Sequence, residues 1–490
     1  MSNCFDDRVT LDPEDWEEFR ALAHTMIDDT LDYLRDLRER PAWQPMPQAV
    51  RSSFDEPLPQ EGIGAAAAYG DFKERVRPYT NGNIHPRFWG WVQGTGTPLG
   101  MMAEMLGAAI NPHMAGFDQA PASVEHQVVR WIAELMGFPR DASGLMVTGG
   151  SLANMIGLAV ARHAKSQFDV RQRGIAGADR RLLVYGSVET HNWVTKGLEF
   201  MGMGRDSLRA VPVNANYQID LTALREMLER DKAEGHRPIC IIGTAGTVNT
   251  GAIDDLESLA GIAQQHDTWF HVDGAFGAWA RISPTLKSLV AGMERADSIG
   301  LDLHKWVYLP FDTACILVRD AALHRDAFAS TASYLAVSER GVIAGGLPFA
   351  NLGIDLTRNF KALKVWMSFK AHGMKQIARV IEQNVEDVRH LVRRVGAAKE
   401  LELLAPSPLN VACFRYARPG PGEDALNRLN QEILFQLQEQ GIAVPSATTF
   451  NGKFAIRVAN TNHRSRKEDF DMLVEAVIKL GDKLTADFRG

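Results

Sequence analysis

The sequence predicts an α/β protein with a mainly parallel central sheet, a smaller C-terminal α/β domain and an N-terminal helical segment. Three observations carry this expectation. From about residue 85 to 320, short apolar runs alternate with stretches of helical periodicity. Beyond residue 400 the alternation returns at smaller scale. Before residue 41 lies a lone amphipathic pattern with a helix-start signal. With 490 residues the chain has room for roughly two to four domains. The expected division is 1–84 for the helical segment, 85–370 for the large domain and 371–490 for the small one.

The N-terminal element opens at Asp12-Pro13-Glu14-Asp15, read as a cap at Asp12 followed by Pro at the first helical position and acids in the first turn. Trp16, Phe19, Ala23, Met26, Ile27, Tyr33 and Leu34 then recur at helical spacing, and Pro41 stops the pattern. Such a stripe needs a cover, from its own domain or from a second subunit. Residues 41–64 are rich in proline and read as an extended connection. Strands are expected at 145–147, 182–185, 239–242, 269–272, 298–301 and 314–318, with helices at 152–164, 221–231 and 256–266. Sites in such sheets lie beyond the carboxyl ends of the strands. Gly149, His191, Asp273 and Lys305 each follow a candidate strand, which places them on one rim. Residues 328–351 carry four glycine or proline positions (Gly341, Gly345, Gly346, Pro348) and little periodicity. A loop of that length inside a compact enzyme is usually functional or mobile. Helices at 356–371 and 376–395 follow, then the segments 401–414, 425–441, 454–458 and 467–484 of the small domain.

Composition narrows the functions. Hydrophobic content is 45% and charged content 23%, as in an ordinary globular protein. The net charge is −7, from 53 basic and 60 acidic residues that are interspersed, which argues against nucleic acid or an anionic membrane as partner. No apolar run reaches the roughly 18–20 residues that span a bilayer, and Glu104 interrupts the nearest candidate, 101–110. Residues 1–10 carry Asp6 and Asp7 and no apolar signal-peptide core. Cys4, Cys240, Cys315 and Cys413 are far apart and form no metal-ligand spacing. No metal and a reduced, cytoplasmic setting are therefore expected.

The chemistry concentrates in six places. Thr148-Gly149-Gly150-Ser151 follows a strand and opens a helix, so backbone N–H groups and the Ser151 hydroxyl can cradle a phosphate; an ordinary helix cap is the plainer reading. Gly94-Thr95-Gly96 is a weaker phosphate candidate. His191 is placed to lie on a flat ring or relay a proton, though a lone histidine is more often structural. Thr244 and Thr247, at a strand end, are placed to donate to a ring hydroxyl or a carboxylate, or simply to form a turn. Asp273-Gly274-Ala275 ends a strand; its carboxylate suits a pyridine nitrogen and its small residues let a ring lie on the backbone. Asp302-Leu303-His304-Lys305-Trp306 offers a lysine amine for a Schiff base, with His304 beside it to reach a phosphate or carboxylate. A lysine and an aspartate at neighbouring strand ends are what pyridoxal 5′-phosphate requires.

Taken in order, His85-Pro86, Gly149-Gly150-Ser151, His191, Asp273-x-Ala275 and Asp302-x-His304-Lys305-Trp306 resemble the pyridoxal phosphate-dependent group II amino acid decarboxylases, among them the aromatic amino acid, histidine and glutamate enzymes. The resemblance runs from about residue 15 to 480. It implies fold type I, the aspartate aminotransferase-like fold, and a homodimer clasped by the N-terminal segment. It implies Lys305 as the Schiff-base lysine, Asp273 as the pyridine partner and His191 as the stacking residue. Ala275 would lie under the ring, and Gly150 and Ser151 would hold the phosphate, with Gly149, Thr244, Thr247, Asp302 and His304 around it.

The implied activity is carboxy-lyase: loss of CO2 from an L-amino acid to leave the amine. The family's proton donor is a loop tyrosine; Tyr334 is the nearest here, and Phe349 falls near the tyrosine position. Phenylalanine there goes with oxidative release of an aldehyde, the second expectation. Trp91 and Val92 suggest an aromatic substrate, Gln93 a polar contact to it, and Phe349 a further wall, while Trp89 and Trp91 also read as plain core. Arg457 is open between a carboxylate contact and a C-terminal salt bridge. An aminotransferase, a carbon–sulfur lyase or a non-catalytic relative are weaker alternatives on the same fold.

Overall fold

In the computed structural model, the described residues are 9–330, 340–342, 344, 348–418 and 422–487. Tyr334 lies outside them.

Seven strands form the central sheet: β1 (Ser143–Val147), β2 (Leu182–Ser187), β3 (Leu208–Val211), β4 (Arg237–Thr244), β5 (Trp269–Asp273), β6 (Ser298–Asp302) and β7 (Ala314–Val318), in the order β1-β7-β6-β5-β4-β2-β3. The pairings from β3 through β6 are parallel, and β7 runs antiparallel to both β1 and β6. Strands buried on both faces read as continuous apolar runs, which is why 239–242 and 314–318 stood out. Edge strand β3, Leu-Arg-Ala-Val, was not expected: it is short and half-exposed, so no apolar run marks it.

The register sets the site. Thr244 pairs with Asp273, and Asp273 with Gly300, so the carboxyl ends of β4, β5 and β6 stand side by side. The helix Gly150–Lys165 begins three residues after β1 and packs across β5, β6 and β7.

A second sheet, β8 (Leu401–Leu403), β9 (Val411–Tyr416), β10 (Ser446–Phe450) and β11 (Lys453–Ala459), is antiparallel in the order β10-β11-β9-β8. With the helices Glu423–Glu439 and Lys467–Asp487 it forms its own core around Phe414, Ile433, Ile456 and Phe470. The helical run Lys361–Ala397 joins the two units and breaks at Gly373 (φ 70°, ψ 156°), between the two helices expected there and beside the expected division at 370/371.

The N-terminal helix is Trp16–Arg35, and its cap is Asp15 rather than Asp12: the Asp15 carboxylate accepts from the N–H groups of Glu17 and Glu18, leaving Pro13 outside. The helix buries none of its residues within the chain. Among the described residues no helix is long and apolar enough to cross a membrane, and no cluster of metal-ligating side chains occurs.

Candidate active site

The rim of β4, β5 and β6 borders a cleft of about 430 Å³, whose wall includes Ser151, His191, Asp273, Ala275 and Lys305. Four segments remote in sequence thus converge, each at or just past a strand end.

Asp273 closes β5 and is buried. Its Oδ1 accepts the Ala275 N–H at 3.2 Å and its Oδ2 accepts the Trp193 indole N–H at 2.6 Å. Lys305 lies three residues past β6, and its Nζ stands 2.7 Å from Asp302 Oδ2. Asp302 is itself buried and fixed through its backbone: its N–H donates to Ala275 O at 3.0 Å and its carbonyl accepts from the Trp279 indole at 2.8 Å. Asp302 Oδ1 has no hydrogen-bond partner and lies 3.8 Å from His304 Nε2.

His304 stands behind Asp302, outside the cleft lining. Its Nδ1 lies 2.9 Å from the Thr313 carbonyl and 3.2 Å from the Thr313 N–H, and the ring packs on Phe311 at 4.5 Å. Burial lowers the pKa of this imidazole from its ordinary value.

Gly150 must be glycine for a steric reason. A β-carbon there would fall 2.7 Å from Asp302 Oδ2. Gly149 caps the helix in extended backbone (φ −169°) with open space beside it and no side-chain cap, which leaves the first-turn N–H groups without that partner. Gly94 does not form a phosphate loop. Its α-carbon packs on the His304 and Lys305 carbonyls, with no room for a β-carbon, so it fixes the lysine's backbone instead.

His191 lines the cleft, and its Nδ1 accepts the Trp193 N–H at 3.2 Å. Desolvation lowers its pKa, partly opposed by the Asp273 charge. Thr244 also lines the cleft, and its buried hydroxyl oxygen has no partner. Thr247 does not reach the cleft; it closes the turn that follows β4, with its hydroxyl 3.0 Å from Thr250 Oγ1 and accepting from Ala252 N.

Of the residues expected around the substrate, only Val92 lines the cleft. Trp91 is 53% exposed and Gln93 Oε1 is occupied by Asn81 Nδ2 at 2.9 Å. Phe349 is fully buried in the core, stacked 4.6 Å from His126 under the Arg358 guanidinium. Arg457 meets neither expectation. It is buried, and its three nitrogens donate to the carbonyls of Trp91, Val248 and Asn249 and to Ser446 Oγ, with no acid among these partners.

Asn154, Glu189, Trp193, Gly246, Val248 and Phe276 line the cleft without having been singled out. Asn154 was findable, since it lies one helical turn after Gly150. Trp193 and Glu189 flank His191, but nothing in a local pattern says that an indole two residues on turns toward β5.

The donor set fits pyridoxal 5′-phosphate. It offers an amine for the aldehyde, a buried carboxylate for the ring nitrogen, an unpartnered Thr244 hydroxyl for the ring oxygen or a carboxylate, and an uncapped helix start for the phosphate.

Comparison with known proteins agrees. Residues 47–417 match the pyridoxal-dependent decarboxylase conserved domain. An aromatic-L-amino-acid decarboxylase of Bacillus atrophaeus is 30% identical over 487 residues, covering 96% of this chain and 97% of its own. The crystal structure of Catharanthus roseus tryptophan decarboxylase in complex with L-tryptophan superposes with a TM-score of 0.86 at 25% identity, over 96% of this chain and 100% of that one. The Rhodiola rosea 4-hydroxyphenylacetaldehyde synthase shares the fold, with a TM-score of 0.85 at 21% identity over 96% and 99%. The chain belongs to the pyridoxal-dependent decarboxylase family.

Proposed function

We propose that this protein removes the α-carboxylate of an aromatic L-amino acid as CO2 and releases the amine. The observation that carries the reading is a cleft walled by both Lys305 and Asp273, in which no arginine takes part among the described residues. When bound, pyridoxal phosphate supplies an aldehyde for the substrate amine and a protonated ring that accepts the electron pair left by the departing carboxylate.

The chain's residues do the rest. Lys305 would hold the cofactor through its amine, and Asp302 Oδ2, 2.7 Å from that Nζ, positions it. Asp273 would pair with the ring nitrogen, His191 and Ala275 would hold the ring, Gly149, Gly150 and Ser151 would take the phosphate, and Thr244 would meet the ring oxygen or the carboxylate. Arg457 is engaged with three carbonyls and Ser446 Oγ, so among the described residues the cleft offers the substrate carboxylate no guanidinium clamp. An acid group held without such a clamp gains when it leaves as neutral CO2, which favours decarboxylation over amino transfer. Val92, Val248 and Phe276 give the apolar wall that suits an aromatic side chain.

The residue that suggested an aldehyde product, Phe349, is packed away from the cleft, which supports the amine. A second copy of the chain covers the N-terminal helix, where Trp16, Phe19, Met26 and Leu31 are 39–59% exposed, and the helix Pro98–Ile110, where Met105, Leu106 and Ile110 are 44–61% exposed. Cys240, Cys315 and Cys413 are buried free thiols, in keeping with a reducing cytoplasm.

The test is a screen of aromatic amino acids against the cofactor-loaded protein, following CO2, amine, ammonia and peroxide together. CO2 with equimolar amine supports the proposal. Stoichiometric ammonia and peroxide would replace it with the aldehyde reading, and a visible absorbance band that survives Lys305→Ala would remove both. Sedimentation at micromolar protein decides between monomer and dimer.

A further inference from the structure

We infer that Trp193 is a positioning residue: its indole N–H holds the Asp273 carboxylate as an anion aimed at the cofactor's ring nitrogen, and so keeps that nitrogen protonated. The inference rests on the reading of Asp273 as the ring nitrogen's partner.

The geometry is specific. Trp193 Nε1 lies 2.6 Å from Asp273 Oδ2, with the two residues 1% and 4% exposed. An indole N–H can only donate, so Oδ2 must be an acceptor at this bond. The second oxygen accepts from Ala275 N at 3.2 Å. Each carboxylate oxygen therefore has one neutral donor and keeps one lone pair. Neutral donors stabilise the anion without cancelling its charge, and the charge stays available to a pyridinium. An arginine in place of Trp193 would compete for it.

The indole is itself locked. It meets His271 edge-on at 5.7 Å and 75°, and His271 is held by Ser298 Oγ at 2.8 Å and Asn154 Oδ1 at 2.9 Å. The backbone N–H of the same residue donates to His191 Nδ1 at 3.2 Å. One residue thus sets the carboxylate with its side chain and the imidazole with its main chain.

The proton between a buried carboxylate and a pyridine nitrogen goes to whichever base is less stabilised without it. Deleting one donor from the carboxylate moves the proton toward Asp273. A hydrogen bond to a charged group shifts such a balance by about ten- to a hundredfold.

The experiment replaces Trp193 with 3-benzothienylalanine, which keeps the bicyclic shape and lacks the N–H, and separately makes Trp193→Phe. Each protein is loaded with pyridoxal phosphate labelled with 15N in the ring. In the wild type the bound ring nitrogen should resonate as protonated. In the benzothienyl protein it should move toward the neutral position, and kcat should fall about tenfold or more with KM little changed. In the cofactor-free chain, the indole N–H resonance lost on Trp193→Phe should move when Asp273→Asn is introduced. A folded, cofactor-loaded benzothienyl protein whose ring nitrogen does not move overturns the inference while leaving the decarboxylase reading intact. An indole resonance indifferent to Asp273→Asn overturns it without any cofactor present. A wild-type protein that takes up no cofactor removes the underlying reading and the inference with it.

Discussion

Replacing Arg457 with methionine separates two roles for a buried guanidinium in this fold. If Arg457 binds the substrate carboxylate, its loss raises KM and leaves the protein intact. The structure points elsewhere: four hydrogen bonds tie Trp91 at the cleft's edge, Val248 and Asn249 after β4, and Ser446 of β10 to one side chain. Arg457 is only 2% exposed, and this burial pulls its pKa down to about 10. The substitution leaves three carbonyls and a hydroxyl short of a donor, at about 1–3 kcal/mol for each that stays dry. It also removes a desolvated charge and buries an apolar chain, which returns several kcal/mol. A net loss of about 3 kcal/mol follows, roughly a hundredfold in the ratio of folded to unfolded protein. Urea unfolding followed by tryptophan fluorescence reads it, alongside kcat and KM at a permissive temperature. An unchanged unfolding midpoint with KM raised a hundredfold would refute the reasoning and return Arg457 to the substrate.

Other consequences follow from the same packing. Gly150→Val drives a side chain into Asp302, so cofactor affinity should fall at least about tenfold, measured by titrating the apoprotein at the visible band, while Gly149→Ala, with open space beside it, should bind nearly as the wild type does. Phe349→Tyr buries a hydroxyl in the core beside His126; it should cost about 1–3 kcal/mol and leave the ratio of amine to peroxide unchanged, and a changed ratio would put residue 349 back at the site. His324, buried between Ser143 Oγ and the Leu352 carbonyl, is held down to about 4 by burial. The unfolded chain takes up that proton near pH 6.5 and the folded one does not, so stability falls as pH drops from 6.5 toward 4, by about 2 kcal/mol at pH 5 from this residue. His324→Gln should flatten the slope of the urea midpoint between pH 7 and 5; a slope that does not change would show that the histidine is charged in the fold.

The small domain shows where a sequence pattern carried information that was not used. Strand β10 was not expected, because Ser446-Ala-Thr-Thr-Phe450 is polar and short. Yet Asn451-Gly452, both at positive φ (49° and 81°), joins Phe450 to Lys453 as a two-residue turn, and Asn-Gly between strand runs is a strong hairpin signal. The N-terminal helix was legible from its spacing, but its cap was placed at the wrong aspartate, because two acids and a proline satisfy the same rule and only the hydrogen bonds choose between them.

The order of chemistry-bearing residues along the chain was enough by itself to identify the family and the central sheet. Parallel strands buried on both faces must be apolar, and the residues that end them must stand on one rim; Gly150, His191, Asp273 and Lys305 are therefore readable from position alone. What lies around those four is set by side chains that cross between elements, and local spacing does not encode such crossings. Only the folded chain shows that the Trp193 indole reaches Asp273, that Gly94 supports the Lys305 backbone, that Arg457 spends its donors on carbonyls, and that Phe349 belongs to the core.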